Sequence, residues 1–183
     1  MKILISGFKP FANFQDNITR KLVEGLPDVI NGNKIYKIIL DVTYKTAFDV
    51  LDKEINKVRP DIVIATGLAA ARKVITTERI ALNINHANAA DNAGVTKTDS
   101  VIVPGAETAL TATLEYPECV YKTDIVVKSY SAGTYVCNDV FYRLLHKGTV
   151  QVYPYISFIH FPSEENIPYE KQLNTFVDIL SCL

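Results

Sequence analysis

The sequence predicts an α/β fold: one domain over residues 1–183, built as a three-layer α/β/α sandwich around a mostly parallel central sheet. Three observations carry that expectation. Residues 2–6, 61–67 and 155–162 are short runs rich in Ile, Val and Phe that read as strands buried on both faces. Segments with helical apolar spacing alternate with them. The strand, helix and strand across residues 34–67 form a βαβ unit, which makes its two strands parallel. A chain of 183 residues has room for one such domain with a substantial core.

The elements follow in order. After the first strand, Gly7-Phe-Lys-Pro-Phe-Ala-Asn-Phe14 is irregular around Pro10, and its three aromatics are expected either to plug the core or to line a pocket for a small flat ligand. Asp16 or Asn17 caps a helix reaching about Leu26. Residues 34–42 are strand-like, and Tyr44, Ala47, Phe48, Leu51, Ile55 and Val58 then follow helical spacing until Pro60 ends the helix. Residues 76–85 alternate in their second half, with Ile80, Leu82 and Ile84 on one side of a half-buried strand and Glu78 just before it. A loop with a small hairpin around Ser100-Val-Ile-Val103 is expected over residues 86–106, then a short helix over residues 106–114 that Tyr116-Pro-Glu-Cys119 breaks. Residues 124–130 read as a strand, Val140, Phe141, Leu144 and Leu145 mark a helix, and the last helix starts near Pro168 with Leu173, Phe176, Val177, Leu180 and Leu183 on one face.

Composition narrows the function classes. With 48% hydrophobic residues, 21% charged residues and a net charge of −1, the chain carries no basic field for nucleic acid or an anionic membrane. No apolar run approaches membrane-spanning length, and Met1-Lys-Ile-Leu-Ile-Ser-Gly7 lacks the core and cleavage site of a signal peptide, so a cytoplasmic location is expected. Cys119, Cys137 and Cys182 are an odd set without metal-type spacing, which predicts neither a disulfide framework nor a metal site, and no cofactor is expected.

Cys137 is the residue around which the rest can be organised. In Ser131-Ala-Gly-Thr-Tyr-Val-Cys-Asn138 a strand hands over to a helix, Gly133 supplies the corner and Thr134 is the expected N-cap. Cys137 then falls among first-turn N–H groups that lack helical partners, where a thiol tends toward a lowered pKa and an oxyanion finds donors. The alternative is an inert buried hydrophobe, since positions 137, 140, 141 and 144 share an apolar face. A thiol attacking an amide needs a base and a proton donor, and His160, at the end of an apolar strand, is the candidate for both. His86 lies in the long loop, and His146 near a helix C-terminus is explained by the helix dipole. Glu78 is the carboxylate best placed to orient His160, against the alternative of a surface salt bridge with Arg79 or Lys73.

Taken together, Gly7-Phe-Lys-Pro-Phe11, Glu78-Arg-Ile-Ala-Leu-Asn83, Ala90-Asp-Asn-Ala-Gly94, Ala132-Gly-Thr-Tyr-Val-Cys-Asn138 and Phe158-Ile-His-Phe-Pro162 resemble the ordered signatures of the pyroglutamyl peptidase I family over essentially the whole chain. The resemblance implies a metal-independent, cytosolic cysteine peptidase that removes N-terminal pyroglutamate, with Cys137 as nucleophile, His160 as base and acid, and Glu78 as third member. It implies Phe8 and Phe11 as substrate-binding aromatics, a peptide or amide substrate with an N-terminal cyclic acyl group, and a homo-dimer or homo-tetramer. Departures fall on the substrate side. Leu68-Ala-Ala-Ala-Arg72 stands where the family reads Gln-Ala-Gly-Gly-Arg, Asn88 replaces an arginine, Ala12 and Asn13 replace glycines, and Asn17-Ile18 replaces Asn-Pro. Leu68 and Asn88 are therefore substrate-binding positions at which the pocket is expected to be retuned. Two other readings remain: a triad-retaining relative acting on a different small acyl or cyclic amide group, and a catalytically silent binding or scaffold protein.

Overall fold

The computed structural model describes residues 1–11 and 15–183; the aromatic Phe14 and the changed positions Ala12 and Asn13 lie outside the described residues. In chain order the elements are β1 (Lys2–Phe8), α1 (Ile18–Gly25), β2 (Val29–Ile30), β3 (Asn33–Leu40), α2 (Ala47–Val58), β4 (Ile62–Leu68), β5 (Ile75–Glu78), β6 (Ile80–Leu82) and β7 (Ala109–Thr111). A 3₁₀ turn (Glu118–Tyr121), β8 (Val126–Ser129), α3 (Val136–Val150), β9 (Tyr155–Phe161) and α4 (Tyr169–Ser181) complete the chain. Seven strands form the central sheet in the order β2-β3-β1-β4-β9-β5-β8. The run β3, β1, β4, β9 is parallel, β5 lies antiparallel to β9, and β8 is parallel to β5.

The strand alternation produces the three layers. Leu4, Val63, Ala65, Ile156 and Phe158 face α2 and α3, packing with Leu51, Ile55, Val140, Phe141 and Leu144. Ile3, Ile5, Ile62, Ile64, Ile159 and Phe161 face the other way, against Ile18, Leu22, Phe176, Ile179 and Leu180 of α1 and α4. Both faces are dry, which is why these strands read as continuous apolar runs. The chain leaves β1 toward β3 on one side and β4 on the other, so the carboxyl ends of β1 and β4 flank a crevice. Among the described residues no helix is long and apolar enough to cross a membrane.

Four expectations change. Residues 106–114 are not a helix: β7 pairs antiparallel with β6, and the β-branched Thr108, Thr111 and Thr113 suit the extended chain. The stretch 76–85 splits, because Ile75–Glu78 joins the main sheet while Ile80–Leu82 turns away into the two-stranded one. Its fully protected side carries Ala81, Asn83 and Asn85, with Ile80, Leu82 and Ile84 only half-buried, since the two asparagines are hydrogen-bonded inward. Ser100 bridges to Asn85, and Ile102 and Val103 donate to the Asn83 side chain, so residues 100–103 are bound to that strand instead of folding on themselves. Finally, Cys119 and Cys182 are joined, with Cα atoms 6.3 Å apart. The 3₁₀ turn packs against α4 and brings together two cysteines whose sequence spacing carries no such signal.

Asn138 fastens the start of α3 to the small sheet. Its fully buried side chain accepts from the Leu82 N–H at 2.9 Å and donates to the Leu82 and Ile84 carbonyls at 2.8 and 3.0 Å, acting as a surrogate strand neighbour. Asn138→Ala leaves those backbone groups unpaired and is expected to lower stability by about 2–3 kcal/mol. Urea unfolding checks this: a shifted midpoint at unchanged slope is the expected result, and a change below about 0.5 kcal/mol contradicts it.

Candidate active site

Strand register sets the site. Gly67 of β4 lies opposite His160 of β9, which lies opposite Thr76 of β5, so the three form one row across the sheet. Glu78 pairs with Phe158, one step diagonally from His160 and on the same face. The result is a 2.8 Å hydrogen bond between the His160 Nδ1–H and Glu78 Oε1, both side chains being buried. The Thr76 hydroxyl donates to the same oxygen at 2.9 Å, and Arg72 Nη1 bonds to both Thr76 Oγ1 and Glu78 Oε1.

The electrostatics of this pair follow from burial and partners. Burial alone would raise the Glu78 carboxyl, but the hydrogen bond and charge of His160, together with Arg72, outweigh it and hold the carboxyl below its ordinary value. Burial lowers His160, and the opposing pull of Glu78 is weaker. We take the pair as ionised Glu78 beside a neutral imidazole, because Arg72 and Thr76 bond the carboxylate whatever the charge on His160.

Cys137 is the second residue of α3. Gly133, at φ 77°, makes the corner before it in a conformation that favours glycine. The helix cap is Tyr135 and has no side-chain hydrogen bond; the Thr134 hydroxyl, expected to cap, instead donates to the His86 carbonyl at 2.6 Å. The expected low thiol pKa is also overturned. Burial first and the Glu78 charge second push the thiol up to about 12, against the weaker opposing effects of its own backbone N–H and of Arg72. The residue as a whole is half-buried, with its open side toward the cavity. At neutral pH the site therefore rests as a thiol beside a neutral imidazole.

Sulfur and imidazole converge over Gly67. A Cβ built there would lie 2.7 Å from Cys137 Sγ and 3.0 Å from His160 Cδ2, so the absence of a side chain is what lets the two approach. They line a cavity of about 170 Å³ whose other walls include Phe8, Phe11, Val42, Leu68, Ala132 and Tyr135. Tyr135 was not singled out by sequence. Its ring lies 6.0 Å from Phe11 and 5.7 Å from Tyr44, and its hydroxyl donates to the Ala90 carbonyl, tying the wall to the long loop. That loop is fastened further by Asp91, which accepts from the Tyr44 N–H, and by Asn92, which donates to the Pro10 carbonyl. Asn17, at the cap of α1, holds the other wall: Thr19 donates to its side chain and accepts from the Phe8 N–H.

The structure thus brings together Cys137, His160, Glu78, Phe8, Phe11 and Leu68, and leaves Asn88 exposed and off the cavity. Arg72, which no catalytic motif singled out, touches Glu78 directly; the signal for it was an arginine retained in a stretch that otherwise departs from the family pattern. A wider groove of about 590 Å³, lined by Asp16, Lys73, Glu164 and Asn166 among others, shares Leu68 with the cavity but holds none of the triad. No cluster of His, Cys, Asp and Glu able to hold a metal ion occurs among the described residues.

Known proteins match the chain in sequence and in fold. A family model described as pyroglutamyl peptidase matches residues 1–175. The pyrrolidone-carboxylate peptidase of Pyrococcus furiosus is 38% identical over 168 residues, covering 88% of this chain and 81% of the relative. That of Thermosipho africanus is 37% identical, covering 100% and 94%. Among solved structures, a mutant pyrrolidone carboxyl peptidase from P. furiosus gives a TM-score of 0.90 at 34% identity, covering 100% of this chain and 98% of that one. The enzyme from Thermococcus litoralis gives 0.91 at 30% identity, covering 99% and 92%.

Two outcomes follow from the geometry. Gly67→Ala is expected to fold but to lose about 10²-fold or more in the rate at which iodoacetamide alkylates Cys137, because sulfur and imidazole are forced apart; alkylation at the unaltered rate contradicts the convergence. A thiol raised to about 12 stays protonated at neutral pH, so the ultraviolet thiolate absorbance lost in Cys137→Ser should emerge only in strong alkali. A thiolate band at pH 7 would mean an ion pair instead.

Proposed function

The chain belongs to the pyroglutamyl peptidase family and is a cysteine peptidase that removes N-terminal pyroglutamate, and from that premise we propose that Cys137 is its nucleophile, His160 its base and acid, and Glu78 the residue that orients His160. The observation that carries the assignment is that the Cys137 sulfur and the Glu78-bound His160 ring both border the bare Cα of Gly67 and line one aromatic-walled cavity.

The steps follow from the atoms in place. With Nδ1–H committed to Glu78, Nε2 of His160 is left with a lone pair and takes the Cys137 proton as sulfur attacks the pyroglutamyl carbonyl. The oxyanion is held by N–H groups of the first turn of α3, which have no acceptor within the helix. His160 then returns the proton to the departing amine, leaving a thioester. Water, deprotonated by the same Nε2, attacks the thioester and frees pyroglutamate and the thiol. Each proton borrowed is returned, so no cofactor is needed.

Phe8, Phe11, Leu68 and Tyr135 are the side chains we assign to the ring of the substrate, by stacking and apolar contact. Asn88 receives no such role, because it lies off the cavity. With Leu68 supplying only methyl groups, the lactam is left to backbone donors and acceptors, which still penalise a ring lacking one partner. We further propose a cytoplasmic homo-oligomer, dimer or tetramer. The exposed Val150, Val152 and Tyr155, beside the amino ends of β4 and β9, are apolar surface that assembly would cover.

The direct test is release of a fluorescent amine from pyroglutamyl-aminomethylcoumarin and from prolyl-aminomethylcoumarin. Turnover of the first alone, falling by at least about 10⁴-fold in Cys137→Ala, is expected. Retained activity in that variant, or equal use of the prolyl compound, contradicts the assignment.

A further inference from the structure

Arg72 lies in the connection between β4 and β5 and is not among the residues lining the cavity. Its two terminal nitrogens reach opposite ways. Nη1 bonds to Glu78 Oε1 and Thr76 Oγ1, while Nη2 donates to the backbone carbonyl of Ser131 at 3.0 Å. Ser131 begins the turn through Gly133 that delivers Cys137 to the helix start. One guanidinium therefore spans the two halves of the site: the carboxylate that aims the imidazole, and the segment that carries the sulfur. A planar fork with two diverging donors can do this and a single ammonium cannot.

Resting on the triad proposed above, we propose that Arg72 is a positioning residue, whose guanidinium holds the Glu78 carboxylate and the Ser131 carbonyl at once and so sets the approach of His160 to Cys137. The charged or titratable groups facing His160 are Glu78 from β5, Cys137 from α3 and Arg72 itself; β4 presents Gly67 there, which carries no charge. Among these, Glu78 raises the imidazole and Arg72 lowers it, so the guanidinium also limits how strongly the carboxylate can draw a proton onto the base. Its charge acts in the same direction on the thiol.

The test uses the full chain with Arg72→Met and Arg72→Lys, measuring kcat and KM for pyroglutamyl-aminomethylcoumarin across pH and the rate of Cys137 alkylation by iodoacetamide. Arg72→Met is expected to lower kcat by about 10²-fold with KM little changed, and to move the acid limb of the profile upward, since the charge that disfavours imidazolium is gone. Arg72→Lys keeps the charge but not the span, so its acid limb stays in place while kcat remains low. Folded Arg72→Met with unaltered kcat and acid limb overturns the proposal, as does a loss confined to KM, which would mean substrate contact. If Arg72→Met does not fold, Arg72→Lys decides, with unaltered kcat as the overturning result. Should the unaltered protein fail to turn over the pyroglutamyl compound, the proposed function fails, and alkylation still separates the two questions. Slower labelling in the variants supports positioning, and equal labelling refutes it.

Discussion

A carboxylate excluded from water beside an imidazole is the constraint on which the site depends. Glu78 is fully buried, and a buried charge is tolerated only when its donors are supplied in place. Here three converge on one oxygen: His160, Thr76 and Arg72. The sheet makes that possible, because β5 enters antiparallel to β9 and sets Glu78 diagonally from His160 on the face toward α3. A slip of one residue in that pairing would turn Glu78 to the opposite face and leave the imidazole without its orienting partner. The fold and the chemistry are thus specified by the same register.

The position of Cys137 depends on a second polar anchor. Asn138 grips the backbone of β6, and Asp139 accepts from Asn85 and Arg143, so the first turn of α3 is pinned by buried hydrogen bonds as well as by packing. Such networks tolerate little displacement, since each broken bond strands a polar group away from water. Rigidity matters because the thiol is not ionised at rest. On the proposed mechanism its reactivity comes from the placement of a base and oxyanion donors at the moment of attack, and the bare Cα of Gly67 provides the space for it.

Much of this was legible in the sequence, for identifiable reasons. The parallel strands β1, β4 and β9 are buried on both faces, so their apolar runs and terminal residues marked the sheet and placed Gly67, His160 and Phe8 at one edge. What misled was the segment whose structure is decided by distant partners. Residues 106–114 have helical spacing of Ala106, Leu110 and Leu114, yet pairing with β6 makes them extended. Thr134 has the chemistry of a cap, but the long loop offers it the His86 carbonyl. The helix start argued for a lowered thiol pKa, and burial beside Glu78 outweighed it, a balance that only three-dimensional neighbours fix. Tyr135 was invisible as a site residue because its partner Ala90 lies 45 residues away in the chain, and the bond from Arg72 to Ser131, 59 residues on, was hidden for the same reason.

The most direct test of the central interaction is nitrogen-15 NMR of the His160 ring near neutral pH. The geometry predicts a neutral ring protonated on Nδ1, with Nε2 unprotonated. A ring protonated on Nε2 alone, or on both nitrogens, would contradict an imidazole held by Glu78 and ready to accept the thiol proton.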